Sequence, residues 1–245
     1  MRFAHNTSIL DAVMTSTKQA TQPLPRHLPW DLGSVLSVVI SVYILAPMAF
    51  NSLLILAFPL LENFYRLVGL EILVILVWLF VFYRLKKVCS VKDVLGLRLT
   101  RPWPYYAIES LLAVMGAFTL IYAMSAFKVV SGLESIDPYP ELFGTQPKVV
   151  LFAALFVAPV LEELVFRGFV QSALAQRSSV VGTLVLTSVI FLLFHGTYLG
   201  SVLAVSYVFL LGLVLSYFRY RTGSVIPGIM AHLANNTTAI QNILG

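Results

Sequence analysis

Seven polar side chains stand inside apolar runs in the C-terminal half of this chain: Glu162, Glu163, Arg167, His195, His232, Asn235 and Asn236. A charge at the centre of a bilayer costs about 2.5–3.5 kcal/mol on insertion scales, so such residues in a spanning segment point to function by default. Their types suit hydrolysis of an amide. A carboxylate and an imidazole, Glu162 and His195, can hold and deprotonate a water. A second imidazole and a carboxamide, His232 and Asn236, can donate hydrogen bonds to a developing oxyanion, often the largest single catalytic contribution. Each residue also has a structural use. Glu163 and Arg167 can lock two helices as a buried pair, and membrane histidines and asparagines hold helices together by hydrogen bonds. No serine has a matching base in this set. The single cysteine, Cys89, excludes an internal disulfide and a multi-cysteine metal site and is expected as a free thiol in a loop.

Spacing assigns directions to these groups. A helix turns about 100° per residue, so Glu163 and Arg167, four apart, share a face and can pair. Glu162 lies about 100° from Glu163 and about 140° from Arg167 on the same wheel. Arg167 then neutralises Glu163, while Glu162 points elsewhere as a carboxylate with no close cation, suited to take a proton. Phe191 and His195 share a face at the same spacing, as do His232 and Asn236. Pro159 removes a backbone donor and predicts a bend just before the acidic pair, and Pro227-Gly228 loosens the start of the last helix.

The elements that must position these residues are membrane helices. Of 245 residues, 59% are hydrophobic and 11% charged, with mean hydropathy +0.89; a soluble domain carries about 25% charged residues. Apolar runs of spanning length occur at 34–58, 67–83, 105–126, 148–175, 180–197, 199–218 and 224–241. The fold class expected is all-α, a polytopic transmembrane bundle of about seven to eight spans. Residues 1–30 are polar and mixed, without the pattern of a signal peptide, and read as a flexible tail before a membrane domain over 31–245. With the N-terminus in the cytoplasm, twelve Lys and Arg fall on inner segments (Arg219 and Arg221 among them) and three on outer ones, Arg66, Lys128 and Lys148. The net charge of +5 thus follows topology, and the partner it implies is anionic lipid, with no nucleic acid. Glu71 and Glu109 lie near helix starts, within reach of the interface. Trp30, Trp78 and Trp103 read as packing or interface residues.

Three short stretches carry a resemblance. EELVFR (162–167), FLLFH (191–195) and HLANN (232–236) resemble the EExxxR, FxxxH and HxxxN motifs of the CAAX prenyl endopeptidase and bacteriocin-processing (CPBP, or Abi) family of intramembrane proteases, in the same order. The resemblance covers a protease-like core at 147–240. It implies an endopeptidase site buried in a helical bundle, with Glu162 as water-activating base, His195 as its partner, His232 and Asn236 as oxyanion stabilisers, and Glu163 and Arg167 in support. It implies a peptide or membrane-protein substrate. The family is commonly called metalloprotease, and Glu162, His195 and His232 would be the zinc ligands; a glutamate-type reaction without tightly bound metal suits Asn236 better, because a carboxamide is better at hydrogen bonding than at binding zinc. The family tends to have eight spans. Two other functions compete: a non-catalytic scaffold or bacteriocin-immunity-type protein of the same fold, and a proton-coupled carrier, against which stands the lack of paired repeats with broken helices.

Overall fold

In the computed structural model, residues 31–58, 63–87, 90–133 and 152–244 are described. They contain eight helices and no strand. The helices are α1 (32–57), α2 (Asn63–Leu85), the short α3 (Val91–Val94), α4 (Trp103–Ser131), α5 (153–174), α6 (Val180–Leu193), α7 (Val202–Thr222) and α8 (Ile226–Leu244). The chain is all-α, as its composition requires. The N-terminal segment 1–30, Cys89, Trp30 and Lys148 lie outside the described residues.

Side-chain caps set several boundaries. Asp31 accepts a hydrogen bond from Ser34 N at 2.7 Å and starts α1; that backbone N–H holds its carboxyl below the usual range. Ser179 caps α6 through Gly182 N, and Ser201 caps α7 through Ala204 N. At the other ends, α4 and α7 stop at Gly132 and Gly223, both left-handed, with φ of 65° and 70°. Glycine is the residue that adopts this conformation without a Cβ clash.

Three stretches wind as π-helix: Ser41–Leu45 in α1, and Ala153–Val157 and Glu163–Val170 in α5. The first two come immediately before Ala46-Pro47 and Ala158-Pro159. A proline inside a helix clashes with the carbonyl four residues back, and Tyr43 and Leu155 supply those carbonyls from within the two π turns. The bend expected at Pro159 is therefore realised as a widened turn. The third π stretch contains no proline. It contains Gly168, which lies against Leu95: a Cβ there would stand 3.1 Å from the Leu95 Cα.

Each of the seven apolar runs coincides with a helix, but only α1 from Gly33 to Ala57, α4 and α7 are both long and apolar enough to cross a membrane among the described residues. The reasons are physical. At about 1.5 Å per residue, the 14 residues of α6 are shorter than a hydrocarbon core of about 30 Å. Glu162, Glu163 and Arg167 in α5, and His232, Asn235 and Asn236 in α8, interrupt apolarity where the chemistry would be.

Two apolar clusters form the interior. One joins α1, α2, α5 and α6 through Val35, Val39, Trp78, Phe166, Phe169 and Phe191. The other joins α4, α7 and α8 through small and large residues together: Ala113, Ala117, Leu211, Leu215 and Ala231. Trp78 is fully buried and meets Tyr43, Phe82 and Phe169, whereas Trp103 is exposed. Helix α5 packs on α1, α6, α7 and α8.

A clasp closes one end of this bundle. Arg219, nearly fully buried, donates from Nε to Arg167 O at 3.1 Å and from Nη2 to Val94 O at 3.3 Å. Ser172 Oγ donates to the same Val94 carbonyl, and Val225 N donates to Gly96 O. Gly96 has φ +69°, and a Cβ on it would stand 2.6 Å from the Arg219 Cζ. The span end expected at 218 is extended by four residues. Helix α7 runs to Thr222, which brings Arg219 inside the fold and puts Arg221 against the buried Glu109, at 3.0 Å from Oε1 and 2.9 Å from Oε2.

Candidate active site

Helix α5 brings the acidic pair into the bundle. Arg167 Nη1 donates to Glu163 Oε1 at 2.8 Å, with both side chains fully buried. Arg167 Nη2 also reaches Gly212 O of α7 at 3.4 Å, and its guanidinium lies 4.1 Å from the centre of the Phe191 ring. The buried charge is thereby met by a carboxylate, a carbonyl and a π face, which is what a desolvated guanidinium requires. The expected i, i+4 pair is present even though residues 163–170 wind as π-helix.

His232, on α8, stands between the two carboxylates. Its Nδ1 is 3.1 Å from Glu163 Oε1, and its Nε2 is 3.8 Å from Glu162 Oε2. An ionised carboxylate only accepts, so the Nδ1–H of His232 donates to Glu163 and Nε2 faces Glu162. The wheel separates the two glutamates by about 100°; they meet again on opposite nitrogens of one imidazole. Gly228 makes room for this. A Cβ at that position would stand 2.6 Å from Glu163 Oε2.

His195 follows the end of α6. Its Nδ1 is 2.8 Å from Phe191 O, a carbonyl that can only accept, so the proton sits on Nδ1. Nε2 then faces Glu162 Oε2 at 3.6 Å. Phe191 thus serves two side chains: its carbonyl meets His195 Nδ1, its ring lies 4.3 Å from the His195 ring, and its face covers Arg167. Glu162 and His195 are 21% and 23% exposed, against 0% for Glu163 and Arg167. The pair that would do chemistry is reachable; the pair that supports it is sealed.

Glu162 Oε2 is buried and receives no hydrogen bond among the described residues. Two imidazole Nε2 atoms approach it from α6 and α8, each beyond hydrogen-bond distance. A carboxylate oxygen without a donor, with two ring nitrogens just beyond direct reach, suits a bridging water. Among the described residues no three His, Cys, Asp or Glu side chains are grouped so as to hold a metal ion. The donor types of Glu162, His195 and His232 suit zinc.

Asn236 lies one turn beyond His232 on α8, half-buried. The adjacent Asn235 donates from Nδ2 to Asn236 Oδ1 at 3.2 Å, and Tyr207 of α7 donates its hydroxyl hydrogen to Asn235 Oδ1. Tyr207, Gly228 and the Phe191 carbonyl are participants that the sequence did not single out. Pro227-Gly228 was legible only as a loosened helix start, and Tyr207 is one aromatic among many in an apolar run.

Residues 144–238 match the family model of the type II CAAX prenyl endopeptidase Rce1-like proteins. This stretch is similar to that family. No curated protein and no solved structure matches the chain. The matched stretch contains every residue of the three motifs, from Glu162 to Asn236. The matched stretch is thus similar to a protease family, and three helices among the described residues are long and apolar enough to cross a membrane.

Proposed function

We propose that the chain is an intramembrane endopeptidase that hydrolyses a peptide bond with a water activated by Glu162 and His195. The observation that carries this is the Glu162 carboxylate oxygen, buried without a donor among the described residues and 3.6 Å from Nε2 of His195. A water between them gives one hydrogen to each, which aims its lone pair away from both. On attack, the water oxygen bonds to the substrate carbonyl carbon and Glu162 takes its proton. The oxyanion is met by Asn236 and by His232, which as an imidazolium donates through Nδ1 to Glu163 and through Nε2 into the site. The proton on Glu162 then passes to the amide nitrogen, the C–N bond breaks, and an acid and an amine leave. Each oxyanion donor contributes about 10²–10³-fold and the base about 10²–10⁴-fold.

Zinc is the alternative source of an activated water. Glu162, His195 and His232 would hold it, and it would lower the pKa of its bound water. The substrate in this reading is a peptide or membrane protein of CAAX type, entering a bundle of seven to eight spans whose N-terminus and basic 84–101 segment face the cytoplasm. Residues 147–240 form its catalytic core.

The test uses purified wild-type and Glu162→Gln protein in detergent with a panel of fluorogenic peptides, with and without a strong chelator. The expected result is chelator-resistant cleavage that Glu162→Gln lowers by at least about 10²-fold. Loss on chelation, restored by zinc, would replace this route with the metal one. Equal cleavage by Glu162→Gln would take the water-activating role from Glu162, and no cleavage by either protein would favour a non-catalytic scaffold.

A further inference from the structure

The two carboxamides on α8 form a polar chain with a direction. Tyr207 crosses from α7 and donates its hydroxyl hydrogen to Asn235 Oδ1. With that oxygen engaged, Asn235 presents Nδ2, which donates to Asn236 Oδ1 at 3.2 Å. An amide has one oxygen and one NH₂, so each contact dictates the orientation of the next. The Asn236 oxygen is thereby turned back toward Asn235, and its Nδ2–H₂ end is the one directed away from Asn235. A hydrogen-bond donor is what an oxyanion requires; a carbonyl oxygen in its place would repel it.

We infer that Tyr207 and Asn235 are positioning residues that fix the Asn236 carboxamide with its NH₂ as the group offered to the reaction. The inference rests on the reading of Asn236 as an oxyanion donor. Neither Tyr207 nor Asn235 needs to touch substrate. Asn235 is buried, so its amide cannot rely on bulk solvent to hold an orientation, and Tyr207 is the hydroxyl that sets it. The relay comes from a different helix than Asn236 itself, which ties the geometry of the oxyanion donor to the packing of α7 against α8.

The substitutions that probe this are isosteric. Tyr207→Phe removes the first donor and leaves the Asn235 and Asn236 amides able to rotate together. Asn235→Asp inverts the second link, since a carboxylate takes a hydrogen from Asn236 Nδ2 and turns the Asn236 oxygen outward. Single-turnover and steady-state cleavage are measured for Tyr207→Phe, Asn235→Asp, Asn236→Ala and the Tyr207→Phe/Asn236→Ala double variant. Glu162→Gln serves as the blank and thermal unfolding as the folding control. In Tyr207→Phe, kcat is expected to fall about 10-fold with KM unchanged, and in Asn235→Asp to fall as far as in Asn236→Ala, about 10²–10³-fold. The double variant should match Asn236→Ala, because the tyrosine acts only through that amide. Wild-type kcat in Tyr207→Phe, or losses that multiply in the double variant, overturn the relay while a dead Glu162→Gln keeps the endopeptidase. An active Glu162→Gln overturns the reaction centred on Glu162, and the relay with it.

Discussion

Glu163 and His232 are joined across two helices by a 3.1 Å contact between Oε1 and Nδ1, although 69 positions separate them in the chain. The same carboxylate oxygen holds Arg167 at 2.8 Å. Glu163 is therefore the hinge between a buried cation and a histidine of the site, while its neighbour Glu162 faces the reaction.

Neighbouring glutamates should accordingly fail in different ways. Glu163→Gln leaves the Arg167 guanidinium buried without its counter-charge and should destabilise the fold by about 3–5 kcal/mol. Glu162→Gln should leave stability within about 0.5–1 kcal/mol of wild type while removing activity. Unfolding in detergent measured for both variants checks this, and equal destabilisation would contradict it.

Gly228→Ala places a methyl group where the Glu163 Oε2 now lies, 2.6 Å away. Glu163 must move, and His232 with it. Cleavage should fall at least about 10-fold, in keeping with the sensitivity of oriented groups to displacements near 1 Å. A Gly228→Ala enzyme with wild-type kcat would show that the Glu163–His232 contact does not position the histidine.

At the clasp, Gly96→Ala combines an unfavourable φ with a clash against Arg219. It should destabilise by about 1–3 kcal/mol. Arg219→Lys offers one ammonium where the guanidinium spans the Val94 and Arg167 carbonyls. It should lose a similar amount, about 1–3 kcal/mol for a buried acceptor left without a donor. Chemical denaturation is the measurement, and a Gly96→Ala protein as stable as wild type would remove the clasp from the account.

The Glu109–Arg221 pair is asymmetric, since Glu109 is buried and Arg221 is half exposed. Arg221→Ala strands a buried carboxylate, whereas Glu109→Gln leaves an arginine that solvent can serve. Arg221→Ala should therefore be the more destabilising of the two, by more than about 1 kcal/mol. Thermal unfolding of the two single variants side by side decides it.

Much of this was legible in residue order. Hydropathy located the seven long helices of the described residues, because an apolar run of that length has few other solutions. The Glu163–Arg167 pair followed from a spacing of four. What the sequence could not carry were contacts between distant segments. The Glu163–His232 contact depends on how α5 meets α8, the burial of Arg219 depends on where α7 ends, and the Tyr207 hydroxyl is one of eleven tyrosines until α7 is set against α8. The π winding was hidden for a different reason: a wheel of fixed pitch assumes the geometry that the chain departs from.

That departure makes helix α5 a spacer of fixed length. Its first half is tied to α8 through Glu163, and its second half to α7 and the clasp through Gln171, bonded to Ser216 O at 3.0 Å, and Ser172, bonded to Val94 O. Deleting one residue between these attachments would turn one half against the other by about 100°. Either the carboxylates or the anchors would then lose their partners. Descendants of this sequence are free to trade side chains on the outer surface of α5, but an insertion or deletion between Glu163 and Gln171 would be a change of ruler, and selection should weed it out.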